Sequence, residues 1–468
     1  MSIKLKHPKF VVPVENPFAN DKLNRKECAG TLTKFVQNTP GPLVISLNGG
    51  WGTGKTVFLK MWNQSLKNEG FNTIYFNAWQ DDYCREPLIA LIGQIWNDLK
   101  GTDFREIVSS IKQCAGPVFK ATIFNAASVC TGGIVSLNEA QLQSISEKAV
   151  DDYIEAGEKL KDLKKRLSEL GQEASVKGKP LVIIIDELDR CRPTFAIDLL
   201  EKVKHLFDTP GVLFVLGIDR EQLGHSTKCV YGNEMDVDGY LRRFLDIEFI
   251  LPGIEPEVYI NHLFSELGLN EYLNSRTNTS NIEDIRSFRS IFPELCYFFN
   301  LSLRDEEYCC RTFAIACMNI NENSHIYPFL LSLLVLLKLV NSKLYYSYVS
   351  GSSNGGDVIE FILNQPKGSS FIKTKSVSIT AAYLLASSPK SWANLCFLQL
   401  ELLYKNQKLT QPEYMPDVIK KMNADNLAEI LKIWSGLRKC GYSIVSDYTL
   451  GYLSKRIELA SLLLGYKE

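Results

Sequence analysis

Gly49-Gly50-Trp51-Gly52-Thr53-Gly54-Lys55-Thr56 is the stretch that decides the fold. Before it runs Leu43-Val44-Ile45-Ser46-Leu47, an aliphatic, β-branched segment suited to a buried parallel strand. After it comes Val57-Phe58-Leu59-Lys60-Met61-Trp62, with the apolar spacing of a helix packed on a sheet. A strand, a loop of the pattern GxxxxGK[ST] and a helix together predict a phosphate-binding loop. The glycines let backbone N–H groups converge on phosphate oxygens, and the helix N-terminus adds partial positive charge. Nucleotide contacts are therefore expected from Gly49, Gly50, Trp51, Gly52, Thr53, Gly54, Lys55, Thr56 and Val57. Lys55 would reach the β- and γ-phosphates, and the Thr56 hydroxyl would coordinate magnesium. A plain glycine-rich turn before a helix is the competing reading, and it leaves both flanks unexplained.

Such a loop needs a carboxylate for its metal at the end of a second buried strand. Leu181-Val182-Ile183-Ile184-Ile185-Asp186-Glu187 supplies five aliphatic residues and then two acids. Asp186 would hold Mg2+, directly or through water, and Glu187 would orient and deprotonate the attacking water. A helix is expected over Thr194 to Phe207, followed by a third buried strand, Val212-Leu213-Phe214-Val215-Leu216. That strand leads to Gly217-Ile218-Asp219-Arg220, where a polar side chain either senses the γ-phosphate or caps the next helix.

The bulk composition fits this reading. The chain has 468 residues, 45% hydrophobic and 22% charged, which predicts a folded protein of two to three domains. A formal net charge of -1 argues against a surface built for nucleic acid. Twelve cysteines without a CxxC pair, behind an N-terminus without an apolar leader, point to free thiols in the cytoplasm. The adjacent Cys309 and Cys310 are read as helix packing. Five histidines leave little material for histidine-based chemistry.

Several separated stretches resemble the KAP family of P-loop NTPases, which is related to the AAA+ and STAND groups. They are Gly49 to Thr56, Phe76-Asn77-Ala78-Trp79, and Ile184-Ile185-Asp186-Glu187-Leu188-Asp189-Arg190. Further matches are Phe214 to Arg220, Tyr240-Leu241-Arg242-Arg243-Phe244 with Leu251-Pro252, and Leu301-Ser302-Leu303-Arg304. The resemblance implies a three-layer α/β ATPase core with a parallel sheet, followed by an α-helical C-terminal region. It implies ATP and Mg2+ as ligands, and a nucleotide-driven switch or assembly ATPase acting through a protein partner or as a homo-oligomer. Bacterial members are associated with phage exclusion and defence, and eukaryotic members resemble membrane-bound signalling scaffolds. By matched position, Arg304 is the candidate catalytic arginine in cis, and Arg242 or Arg243 the candidate in trans. A surface or interdomain salt bridge is the alternative for each. Asp189 and Arg190 belong to the same polar shell in this reading.

The expected organisation is a first part of the core over 1–110, a helical insertion over 111–178, the second part over 179–255 and a helical domain over 256–468. Within the insertion, Ala121 to Leu137 is the candidate membrane segment. Its 17 residues fall short of the 20 or so apolar residues a spanning helix needs. Membrane contact is therefore disfavoured. Tyr153, Ala156, Leu160, Leu163, Leu167 and Leu170 form a short coiled-coil seam that either self-associates or packs on the protein's own core. Beyond Pro252, Asn274 to Asn281 and Gly351 to Gly356 read as polar loops. Phe329 to Val340 reads as a core helix too short to span a membrane, with further helices over Leu395 to Leu403 and Leu427 to Leu437. A P-loop kinase would need an arginine-rich lid, a GTPase an NKxD element and an ABC protein an LSGGQ signature; none is evident. A scaffold with a dead site is the remaining alternative, against which stand the intact Lys55, Thr56, Asp186 and Glu187.

Overall fold

The computed structural model describes residues 11–112, 158, 161–173, 179–253, 256–276, 282–321, 324–439 and 447–464. These fall into two compact units, residues 10–253 and 254–468. The candidate membrane segment, Ala121 to Leu137, and the seam residues Tyr153, Ala156 and Leu160 lie outside the described residues.

The first unit is built on a five-stranded parallel sheet: β1 (Leu43–Asn48), β2 (Thr73–Asn77), β3 (Leu181–Asp186), β4 (Val212–Ile218) and β5 (Ile247–Ile250). The spatial order is β2-β3-β4-β1-β5. Every residue of β3 and β4 is buried, as unbroken aliphatic runs require of strands covered on both faces. Alternation along the strands divides them between two cores. Ile45, Leu47, Val182, Ile184, Leu213 and Val215 pack on one side against α1 (Lys26–Gln37) and α2 (Lys55–Asn68). Val44, Ile183, Ile185, Phe214 and Leu216 pack on the other side with α3 (Pro87–Leu99), α4 (105–112), α5 (161–173) and α6 (Pro193–Val203). This is the expected three-layer α/β core. Phe58, Leu59, Trp62 and Leu66 of α2 are all essentially inaccessible, and burial of each side chain stabilises the helix on the sheet by roughly 1.5–3 kcal/mol.

The described half of the coiled-coil seam belongs to this core. Leu163, Leu167 and Leu170 on α5 are buried with the residues of α3 and α6. Of the two expectations, packing on the protein's own sheet is the one realised there. The helix after β3 ends at Val203, earlier than the expected Phe207, and is followed by a turn. Two short helices, α7 (Arg220–Tyr231) and α8 (Val237–Leu241), precede β5.

The second unit is helical in all its described residues apart from loops and turns. It opens with α9 (Pro256–Glu266), α10 (Leu269–Ser275), α11 (Ile282–Phe298), α12 (Leu303–Met318) and α13 (Pro328–Val340). Phe288 anchors its core, with ring centroids 4.4 Å from Phe313 and 5.0 Å from Phe264. Residues Phe329 to Leu337 of α13 are all buried, so this helix is an internal core element. Among the described residues no helix is long and apolar enough to cross a membrane. Cys309 and Cys310 are buried in α12 as free thiols. Two expected loops are shorter than the sequence suggested. Asn274 and Ser275 complete α10, and Gly355 and Gly356 open a helix, Gly355–Leu363, that Asn354 and Asp357 cap reciprocally. At Gly355 the capping box wins over polar composition.

Candidate functional site

The glycine loop joins the C-terminal end of β1 to the start of α2. Gly52 and Gly54 take φ values of 78° and 83°, in the left-handed region that L side chains avoid. Gly54 occupies the N-cap position and no side chain caps the helix. The first intrahelical bond runs from the Phe58 N–H to the Gly54 carbonyl, at 3.0 Å. The first-turn amides of Lys55, Thr56 and Val57 are therefore without intrahelical partners, an arrangement suited to an anion. Lys55 is only 8% exposed, and its ammonium donates to the carbonyls of Gly49 and Gly50.

Strand order brings the second half of the site beside the loop. β4 lies between β1 and β3, pairing Gly217 with both Leu47 and Asp186. A Cβ on Gly217 would sit 2.4 Å from Leu59 Cδ1 and 2.8 Å from Asp186 Oδ1. The glycine thus keeps open the space that the Asp186 carboxylate fills. Asp186 is fully buried, accepting from the Tyr75 hydroxyl at 2.6 Å and from the Glu187 backbone N–H at 2.8 Å. Glu187 follows with φ 60° and accepts from Thr56 Oγ1 at 3.2 Å and Asn77 Nδ2 at 2.9 Å. Arg190, three residues on, pairs with the same carboxylate at 2.7 Å, and its guanidinium lies 5.6 Å from the centre of the Trp79 ring. Lys55, Thr56, Asp186 and Glu187 therefore meet at the carboxyl ends of β1 and β3, the two strands that flank β4, where open α/β sheets hold their ligands.

A family profile described as the KAP family P-loop domain matches residues 25–320. The chain belongs to the KAP family of P-loop NTPases. No curated protein matches it. Solved structures similar to it include that of C. elegans PCH-2, at 13% identity and TM-score 0.31, covering 71% of this chain and 73% of that one. Others are the Walker-type ATPase PABY2304 of Pyrococcus abyssi (15%, TM-score 0.33, 73% and 81%) and the Aeropyrum pernix ORC2 protein (12%, TM-score 0.28, 88% and 86%). Likeness at this level carries no argument beyond the family profile.

The charge balance of the KAP site is uneven. Asp186, Glu187, Asp189 and Asp219 are each less than a tenth exposed, and the cations facing them are Lys55 and Arg190. Burial pushes the Asp186 carboxyl up to about 6, and the Glu187 charge adds to this, against hydrogen bonds from Tyr75, Thr56 and the Glu187 backbone. Burial also raises Asp189 and lowers Lys55; their mutual attraction opposes both shifts. The Tyr75 hydroxyl is pushed far up by burial and by Asp186, so it remains a donor. Hard oxygen donors with a surplus of negative charge fit a divalent cation such as magnesium, with Thr56 and Asp186 as the protein groups that would hold it.

Asp219 caps α7, accepting from the Glu221 and Gln222 amides, and also holds the Trp51 backbone N–H at 3.0 Å. The cap reading is realised, with a loop-holding role added that the sequence did not disclose. Arg220 points away into ion pairs with Asp238 at 2.9 Å and Glu248 at 3.0 Å. Arg242 and Arg243 are exposed just after α8. Arg304 belongs to the second unit, exposed in the first turn of α12 behind the Ser302 cap. Tyr75, Asn77 and Gly217 were missed as site residues. Alternation in β2 and the isolated glycine at the end of an aliphatic strand were the available signals.

Proposed function

We propose that this KAP NTPase binds and hydrolyses ATP and uses the cycle as a switch or assembly step. The observation that supports this is the meeting of Lys55 and Thr56, after β1, with Asp186 and Glu187, at the end of β3, where Thr56 Oγ1 donates to Glu187 and the Asp186 charge acts on Lys55. In the proposed reaction the first-turn amides and Lys55 bind the β- and γ-phosphates, Lys55 leaving its resting carbonyl acceptors. Magnesium, when bound, neutralises charge on the phosphate oxygens. Thr56 and Asp186 would hold it. Glu187 takes a proton from the water whose oxygen attacks the γ-phosphorus, while the bond to the β–γ bridging oxygen breaks and ADP leaves. Asn77, Thr56 and Arg190 engage Glu187 at rest, so water must compete with these partners for the carboxylate.

The family resemblance extends this reading. The switch acts through a protein partner or further copies of itself, in a bacterial anti-phage setting, with Arg304 acting in cis or the exposed Arg242 and Arg243 in trans. A cytoplasmic location fits the free thiols. The test is phosphate release and ATP affinity in the wild type, Lys55→Ala and Glu187→Gln. Lys55→Ala should lose binding, whereas Glu187→Gln should bind and stall. Equal ATP affinity in Lys55→Ala would refute the site, and normal turnover in Glu187→Gln would remove Glu187 as the base. Molecular mass with and without ATP separates an assembly switch from a monomeric enzyme. A P-loop kinase would instead need an added acceptor before ADP accumulates.

A further inference from the structure

The phosphate loop carries a large side chain at Trp51, and both N–H groups of that residue are committed. The backbone N–H donates to Asp219 Oδ2 at 3.0 Å, and the indole Nε1–H donates to Asp189 Oδ2 at 2.5 Å. Trp51 is 44% exposed, so its location is not explained by hydrophobic burial. Asp189 is 5% exposed, and its Oδ1 is buried without a hydrogen-bond partner of good geometry; the Lys55 charge, the Trp51 indole and the backbones of Asp189 and Asp219 favour its ionised form against burial. A buried carboxylate oxygen left in that state costs stability. Packing of the core gives no reason to keep one there.

The reason lies in what Asp189 is attached to. It is the middle residue of the three-residue 3-10 turn Leu188–Arg190, whose N-cap is Glu187. Glu187 sits in the left-handed region, and Arg190 of the same turn grips its carboxylate. A turn this short moves as one piece, so holding Asp189 holds Glu187 and Arg190.

We propose that the Trp51 indole and Asp189 form a latch that registers the phosphate loop against the turn bearing Glu187. Trp51 and Asp189 are then positioning residues for hydrolysis, and the indole is not a phosphate contact. This rests on the hydrolase reading above. Because Asp219 holds the Trp51 backbone independently of the ring, loss of the indole N–H leaves the loop amides and Lys55 in place. Only the turn is released, so turnover falls while affinity holds.

The test uses the full chain and measures ATP dissociation constants and phosphate release for Trp51→Phe, Asp189→Ala, the double variant and Asp189→Asn. The expected result for each of the first two is a Kd within about threefold of wild type and a kcat reduced about tenfold, the scale of one charge-assisted hydrogen bond. The double variant should be no slower than the worse single one, because both remove the same bond. Asp189→Asn should recover most of the turnover that Asp189→Ala loses, since its amide oxygen still accepts from the indole. Unchanged kcat in Trp51→Phe, or losses that multiply in the double variant, overturns the latch. A wild type that binds ATP but releases no phosphate removes the hydrolase reading and the latch together. Normal wild-type turnover with Trp51→Phe at full rate removes the latch alone. Should Asp189→Ala not fold, Trp51→Phe and Asp189→Asn still decide between these outcomes.

Discussion

Replacing Asp186 with asparagine should stabilise the nucleotide-free protein while abolishing magnesium-dependent turnover. The carboxyl is fully buried and displaced from 3.8 to about 6, chiefly by burial. That displacement corresponds to roughly 3 kcal/mol against the ionised form. The bonds with Tyr75 and with the Glu187 backbone both survive the change. The asparagine oxygen still accepts from the Glu187 N–H, and the Tyr75 hydroxyl can turn from donor to acceptor for the amide. A carboxyl whose folded value is raised is least costly below 3.8, and the cost grows until pH exceeds its folded value of about 6. Roughly half of the penalty is thus present at pH 5 and nearly all of it at pH 7.5. The assay is urea denaturation of wild type and Asp186→Asn at both pH values. In a chain of two units, the transition to follow is the one that wild type shifts on adding ATP and magnesium. The variant should be more stable by about 1–3 kcal/mol at pH 7.5, with the advantage shrinking at pH 5. A variant less stable than wild type at pH 7.5, or an advantage that does not change with pH, would refute the account of Asp186 as a buried, penalised carboxylate.

Gly217→Ala should lower both stability and turnover, because its Cβ meets Leu59 and Asp186 at 2.4 and 2.8 Å. Thermal unfolding should show a loss of about 1–3 kcal/mol, and wild-type-like turnover would be evidence that the space is not needed. Tyr75→Phe removes the 2.6 Å hydrogen bond to Asp186 and should push that carboxyl higher still. About two- to tenfold more magnesium should then be required for half-maximal turnover at pH 7, as the ionised fraction of Asp186 falls, a requirement read from a magnesium titration. In the second unit, burial and the neighbouring Asp305 raise Glu306 from 4.5 to about 8, and its Oε2 has no partner. The wild-type unit should lose stability as pH rises from about 4.5 to 8, and Glu306→Gln should not; denaturation midpoints across that range give the comparison.

Legibility of the fold followed the range of the interactions involved. The glycine loop, the aliphatic strands and the acid pair were readable because local chemistry sets them: chain conformation at Gly52 and Gly54, and two-sided burial of β3 and β4. The polar loops were read less well. Asn274 and Ser275 finish a helix, and Gly355 and Gly356 start one; at the second, the Asn354–Asp357 cap satisfies backbone groups that composition alone cannot report. The charged segment around Leu163, Leu167 and Leu170 had a heptad spacing compatible with two partners, and proximity to α3 and α6 decides in favour of the protein's own core.

By itself the sequence determined that a phosphate loop and two candidate carboxylates, one for a metal and one for a general base, were available, since each is a residue type at the end of a recognisable element. Tertiary structure alone decided how they meet. The order β3-β4-β1 puts Gly217 between Asp186 and the loop, and parallel register sets Asn77 beside Asp186, within reach of Glu187. The same assembly turns Asp219 into a holder of Trp51 and joins Trp51 to Asp189 across 138 residues of chain. Hydrogen bonds of this kind depend on which strands lie side by side and in what register. No local pattern in the sequence encodes that choice.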